Sequence, residues 1–80
     1  MKATVIVELK SSVLDPQGKA IQHSLANLGF EGVEDVRVGK VFRITFDDTT
    51  PDDLDKRLKE MCEGLLANTV MENYSFTVER

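Results

Sequence analysis

"GVEDVRVGKVFRITFDD", residues 32–48, decides how this chain folds. Val, Ile and Phe dominate it, and Gly39 in its middle permits a turn or a bulge, so the stretch is predicted to form two strands around Gly39. Val36, Val38, Phe42, Ile44 and Phe46 all demand the same face, which a two-residue turn at Gly39-Lys40 does not give them. A three-residue loop or a bulge would reconcile them, because a slip of one residue flips a strand's faces.

On the N-terminal side, residues 2–10 alternate. Ala3, Val5, Val7 and Leu9 point one way and Thr4, Glu8 and Lys10 the other, with Ile6 breaking the polar side, which predicts a half-buried strand. Asp15 then stands as a helix N-cap, with Pro16 at the first helical position, where its missing N–H costs nothing. Ile21, Leu25 and Leu28 follow at helical spacing, and Gly29 is placed to end the helix in a left-handed conformation. Gly18 is out of place in a first turn, where glycine costs up to about 1 kcal/mol relative to alanine. Either that turn frays or another segment of backbone comes close.

Beyond residue 48, Thr50 and Pro51 repeat the cap-and-proline device, and Asp52 and Asp53 suit the positive end of a helix dipole. Leu54, Leu58, Met61, Cys62, Leu65 and Leu66 then form an apolar stripe, and Asn68 is a left-handed terminator by type. In "YSFTVER", Tyr74, Phe76 and Val78 alternate with polar residues as a last strand. The order strand, helix, strand, strand, helix, strand is the α+β, βαββαβ ferredoxin-like (split βαβ) pattern: a four-stranded antiparallel sheet with two helices on one face. Its open sheet face and strand edges are natural association surfaces.

With 80 residues the chain is expected to be one domain, 1–80. A chain of this size buries only about 60 % of its unfolded surface, so association is expected to supply the missing core. A single cysteine, Cys62, excludes an internal disulfide and points to a reducing cytoplasm. The N-terminus shows no cleavage signal and no stretch approaches membrane-spanning length, so a mature, soluble chain is expected. Net charge is −4, and residues 47–63 hold the excess, with seven acids against Lys56, Arg57 and Lys59. No basic face suited to nucleic acid remains.

The sequence offers no convincing active site, so no catalytic, cofactor-binding or metal-binding residue is assigned. Neither Gly18-Lys19 nor Gly39-Lys40 has the glycine five residues upstream, or the following hydroxyl, of a phosphate loop. His23 has no partner for a metal pair or a triad and reads as a surface helical histidine. Cys62, inside the apolar stripe, reads as buried and structural. The acids from Asp47 to Asp55 lack calcium-loop spacing. Arg37, Lys40 and Arg43 form a small basic group around the expected hairpin, suited either to docking an acidic partner or to discouraging aggregation at a strand edge.

"LKSSVLDPQGKAIQHSL", "VEDVRVGKVFRI" and "MCEGLLANTVMENY" together resemble the PurS family, the small subunit of phosphoribosylformylglycinamidine synthase. Met71 and Asn73 depart from it, standing where related sequences often have isoleucine and an acid. The resemblance implies a non-catalytic bridge that pairs with itself as a dimer or higher homo-oligomer and contacts two enzymes. One is a PurL-type synthetase, which would use ATP and magnesium to activate the formyl amide oxygen of its ribonucleotide substrate. The other is a PurQ-type glutaminase, which would liberate ammonia. This chain would bind no cofactor, nucleic acid or membrane. Asp15, Pro16 and Gly18 would fix the start of the first helix, Arg37, Gly39 and Lys40 would shape a protruding hairpin, and Asn68 would close the second helix. The main alternative is a ferredoxin-like regulatory module that binds a small metabolite at a dimer interface. An RNA-binding sheet is disfavoured by the acidic balance and by Phe42, Phe46 and Phe76, which read as core.

Overall fold

A computed structural model describes residues 1–47 and 53–79. In chain order these form β1 (Lys2–Leu9), α1 (Pro16–Asn27), β2 (Gly39–Thr45), α2 (Leu54–Met61) continued by one π-helical turn (Cys62–Leu66), and β3 (Glu72–Glu79). β1 is the central strand of an antiparallel sheet ordered β2-β1-β3. Val5 lies opposite Phe42 on one side and Phe76 on the other, so the alternating apolar residues of all three strands share one face. Leu54, Leu58 and Cys62 of α2 and its π turn cover that face and complete the core with Ala3, Val5, Val7 and Ala67.

The expected four-stranded sheet has three strands in the described residues, and the missing one is the strand expected just before Gly39. Residues 31–38 are irregular, because groups that a strand ladder would need are engaged by the helix instead. The Val38 amide donates to Asp15, while the Val33 and Glu34 carbonyls accept from Gln22. Gly39 therefore starts β2 rather than turning a hairpin, and only Phe42, Ile44 and Phe46 of the apolar set reach the core.

The second departure concerns α1, which was expected beside α2 on the sheet. No residue from Lys10 to Val38 belongs to the core, and Ile21 and Leu28 of this segment are exposed. Residues 11–38 make an arm instead, with α1 leading out and 29–38 leading back. The molecule measures 51 × 25 × 15 Å, and its radius of gyration is 16.4 Å, against about 12 Å for a compact chain of this length. Gly29 ends α1 as expected, at φ +93°; its amide donates to Ala26 O and that of Phe30 to Leu25 O, the paired bonds of a Schellman cap.

α2 ends differently from expectation. The Ala67 amide donates 2.8 Å to Cys62 O, five residues back, and the wider turn carries Leu65 out of the stripe to 85 % exposure. Asn68 is not left-handed, since no non-glycine residue among those described has positive φ. Its Oδ1 accepts from the Val70 amide, so it makes a local turn beyond the helix. The Thr50-Pro51 start expected for α2, with Asp48 and Asp52, lies outside the described residues.

Candidate partner interface

Asp15 is the centre of the arm's base. Only 4 % exposed, its carboxylate accepts from the Gly18 amide at 2.8 Å and from the Val38 amide at 2.7 Å. The first bond is the N-cap that Asp15-Pro16 predicts; the second reaches 23 residues along the chain and pins the returning segment. Gly18 has its reason here: a Cβ would overlap the Val36 carbonyl oxygen and lie 2.9 Å from its carbon, so close approach of another backbone is the correct reading. Arg37 Nη2 closes the base, donating to Lys10 O at 3.0 Å and Val13 O at 2.7 Å.

The amides of Val38 and Gly18, with the Arg37 guanidinium beside them, hold the Asp15 carboxyl below its ordinary 3.8. Its contribution to stability is therefore complete above that value and is lost as pH falls through the lower folded value. An acid titration followed by the Val38 and Gly18 amide shifts should have its midpoint below 3.8. A midpoint at or above 3.8 would contradict the clasp.

The other motif residues gather at the same end of the sheet. Lys40 Nζ lies 3.8 Å from Glu72 Oε2, and Glu72 Oε1 accepts from the Asn68 amide at 2.7 Å. The Asn68 carbonyl accepts from the Glu72 amide at 2.7 Å, and the Lys10 amide donates to Met71 O at 2.8 Å. Gly39 lies against the Val7 carbonyl, from which a Cβ would stand 2.7 Å. Asp15, Gly39, Lys40 and Glu72 line one groove with Leu9, Gln17 and Val38. The sequence reading missed Glu72, which joins Lys40 to Asn68, and Gln22, which holds the Val33 and Glu34 carbonyls. An acid opening a strand carries no local signal for partners supplied by another strand.

This geometry separates the basic residues. Arg37 directs its guanidinium to the chain's own carbonyls, whereas Lys40 is 61 % exposed in a long surface ion pair. Reversing Lys40 to Glu is expected to change stability by less than about 1 kcal/mol, while Arg37→Glu should cost about 2 kcal/mol and loosen the arm. Urea denaturation of both variants checks this, and equal effects would mean that the Arg37 bonds contribute nothing. Lys40→Glu is thus the cleaner probe of partner docking.

The remaining reactive side chains stand apart from the clasp. His23 is exposed on α1 beside Lys19, and Cys62 is fully buried, where desolvation pushes its thiol up. Among the described residues no three His, Cys, Asp or Glu side chains gather as a metal site, and no helix is long and apolar enough to cross a membrane. The arm and sheet do present apolar surface. Leu14, Leu28 (73 % exposed) and Phe30 lie on the arm, and Ile6 and Val41 sit opposite one another on the uncovered sheet face.

The family model PurS, described as phosphoribosylformylglycinamidine (FGAM) synthase, matches residues 2–80. The phosphoribosylformylglycinamidine synthase subunit PurS of Bacillus subtilis is 53 % identical over 78 residues, covering 98 % of this chain and 92 % of that protein. A B. subtilis PurS crystal structure superposes with a TM-score of 0.89 at 52 % identity, over 99 % of this chain and 98 % of that one. A chain in a Thermotoga maritima PurLQS structure is 29 % identical with a TM-score of 0.82, over 95 % of this chain and 93 % of that one. With a three-stranded sheet, a projecting arm and a clasp built from the motif residues, this chain belongs to the PurS family of FGAM synthase.

Proposed function

We propose that this chain is the non-catalytic bridging subunit of FGAM synthase in de novo purine biosynthesis, working in the cytoplasm. It pairs with itself and joins a PurL-type synthetase to a PurQ-type glutaminase, so that ammonia from glutamine reaches the activated ribonucleotide without escaping. The complex converts formylglycinamide ribonucleotide, glutamine, ATP and water to the amidine, glutamate, ADP and phosphate. ATP and magnesium act in the synthetase, and this chain contributes surfaces rather than reacting groups.

The observation that carries the reading is the arm, whose apolar side chains have no place in the chain's own core. The accessible surface of 6112 Å² exceeds the roughly 4900 Å² expected of a compact chain of 9.0 kDa. Such an excess suits a surface that another chain covers. The second copy is the nearest candidate, because the chain exposes apolar side chains both on the arm, at Ile21 of α1 and Leu28 at its C-cap, and on the sheet face, at Ile6 and Val41. The metabolite-binding alternative has less support, since the four-stranded frame it assumes is not formed among the described residues.

The test is amidine formation by purified synthetase and glutaminase, with and without this chain, supplied with glutamine or with free ammonia. The chain should restore the glutamine reaction and scarcely alter the ammonia reaction. If neither rate responds with all three proteins folded, the bridging role fails. Self-association is read by sedimentation: the wild type should run heavier than 9.0 kDa, and Leu28→Asp should shift it towards the monomer.

A further inference from the structure

The hydrogen bonds that order residues 11–38 mostly close within that segment or at its base. Asp15 ties Gly18 to Val38, Gln22 ties α1 to Val33 and Glu34, and Arg37 ties Val13 to Lys10. The Schellman cap of α1 is internal as well. The sheet and α2 hold one another through Val5, Val7, Leu54, Leu58 and Cys62, with no side chain from the arm among them. Detaching the arm therefore exposes none of that core, and unfolding the core is not required to detach it.

We propose that the arm, α1 included, unfolds and refolds locally as one cooperative unit while the sheet and α2 stay folded, with the carboxylate of Asp15 as its latch. Local opening of this kind is characteristic of elements with few buried apolar contacts, and docking elements are drawn from that class. The latch lies where the outgoing and returning segments meet, so its loss leaves only the Gln22 and Arg37 bonds between them. Closed, the arm holds its apolar residues at one fixed angle to the sheet. Open, it lets a partner approach before the arm settles.

Amide hydrogen exchange on the full chain, followed by NMR across a dilution series, tests this. At the dilute end of the series, where the chain is monomeric, the amides of Ile21, Gln22, Leu25 and Val38 are expected to share one opening equilibrium constant, at least about tenfold larger than that of Val5 and Val7 of the central strand. Asp15→Asn separates the latch from the helix cap. Asparagine caps a helix as well as aspartate does, but its amide nitrogen cannot accept from the Val38 N–H. The variant should speed exchange of all four arm amides by a common factor and leave Val5 and Val7 unchanged. Wild-type arm and β1 amides equally protected at every concentration would overturn the proposal. So would a variant in which only Gly18 and Val38 respond, since the arm would then not move as a unit.

Discussion

Leu58→Ala is expected to remove about 2–5 kcal/mol of stability, a large part of the total for a domain of this size. Leu58 is fully buried in the middle of α2, between Leu54 and Cys62, where the helix faces Val5 and Val7. Truncation leaves a cavity that the sheet cannot fill, because β1 is held on both sides by β2 and β3. The arm offers no substitute, since none of its side chains reaches the core. Urea denaturation at one fixed protein concentration reads the effect, the concentration being held because self-association shifts apparent stability. A loss below about 1 kcal/mol would mean that the α2 stripe is not the main support of the sheet.

The stripe on which that expectation rests was legible in the sequence, as were β1 and β3, because each follows a local period of 3.6 or 2 residues. The start and end of α1 were legible for the same reason: Asp15-Pro16 and Gly29 act on backbone groups within a few residues of themselves. What could not be read locally was decided over distance. Val36 and Val38 have the composition of a strand, yet a carboxylate 23 residues upstream takes the Val38 amide. Leu65 has the spacing of a core residue, yet the π turn after Met61 rotates it into solvent. Of the candidate interface, Asp15, Gly18 and Arg37 were found as residues, but their union in one clasp was not, and Glu72 was missed altogether. Gly18 was the best clue, since a costly residue in a helical turn calls for a contact that only glycine admits.

Gly18→Ala should therefore loosen the returning segment, although it adds helix propensity to α1. Two opposing effects meet at this position. Alanine favours the helix by up to about 1 kcal/mol, through lower backbone entropy in the open chain. Against this, the new methyl group overlaps the Val36 carbonyl oxygen, and overpacking against backbone costs typically 1–3 kcal/mol. That carbonyl cannot swing aside freely, because Arg37 is tied to Lys10 and Val13 on one side and the Val38 amide to Asp15 just beyond. The steric cost is expected to win, and relief comes by moving residues 36–38 away from α1, which breaks the Asp15 to Val38 bond. Since that bond is the largest influence lowering the Asp15 carboxyl, its midpoint should rise towards 3.8 in the variant. An unchanged Asp15 midpoint together with higher stability would reverse the ranking: helix propensity would then govern Gly18, and the arm would tolerate a wider gap at its base.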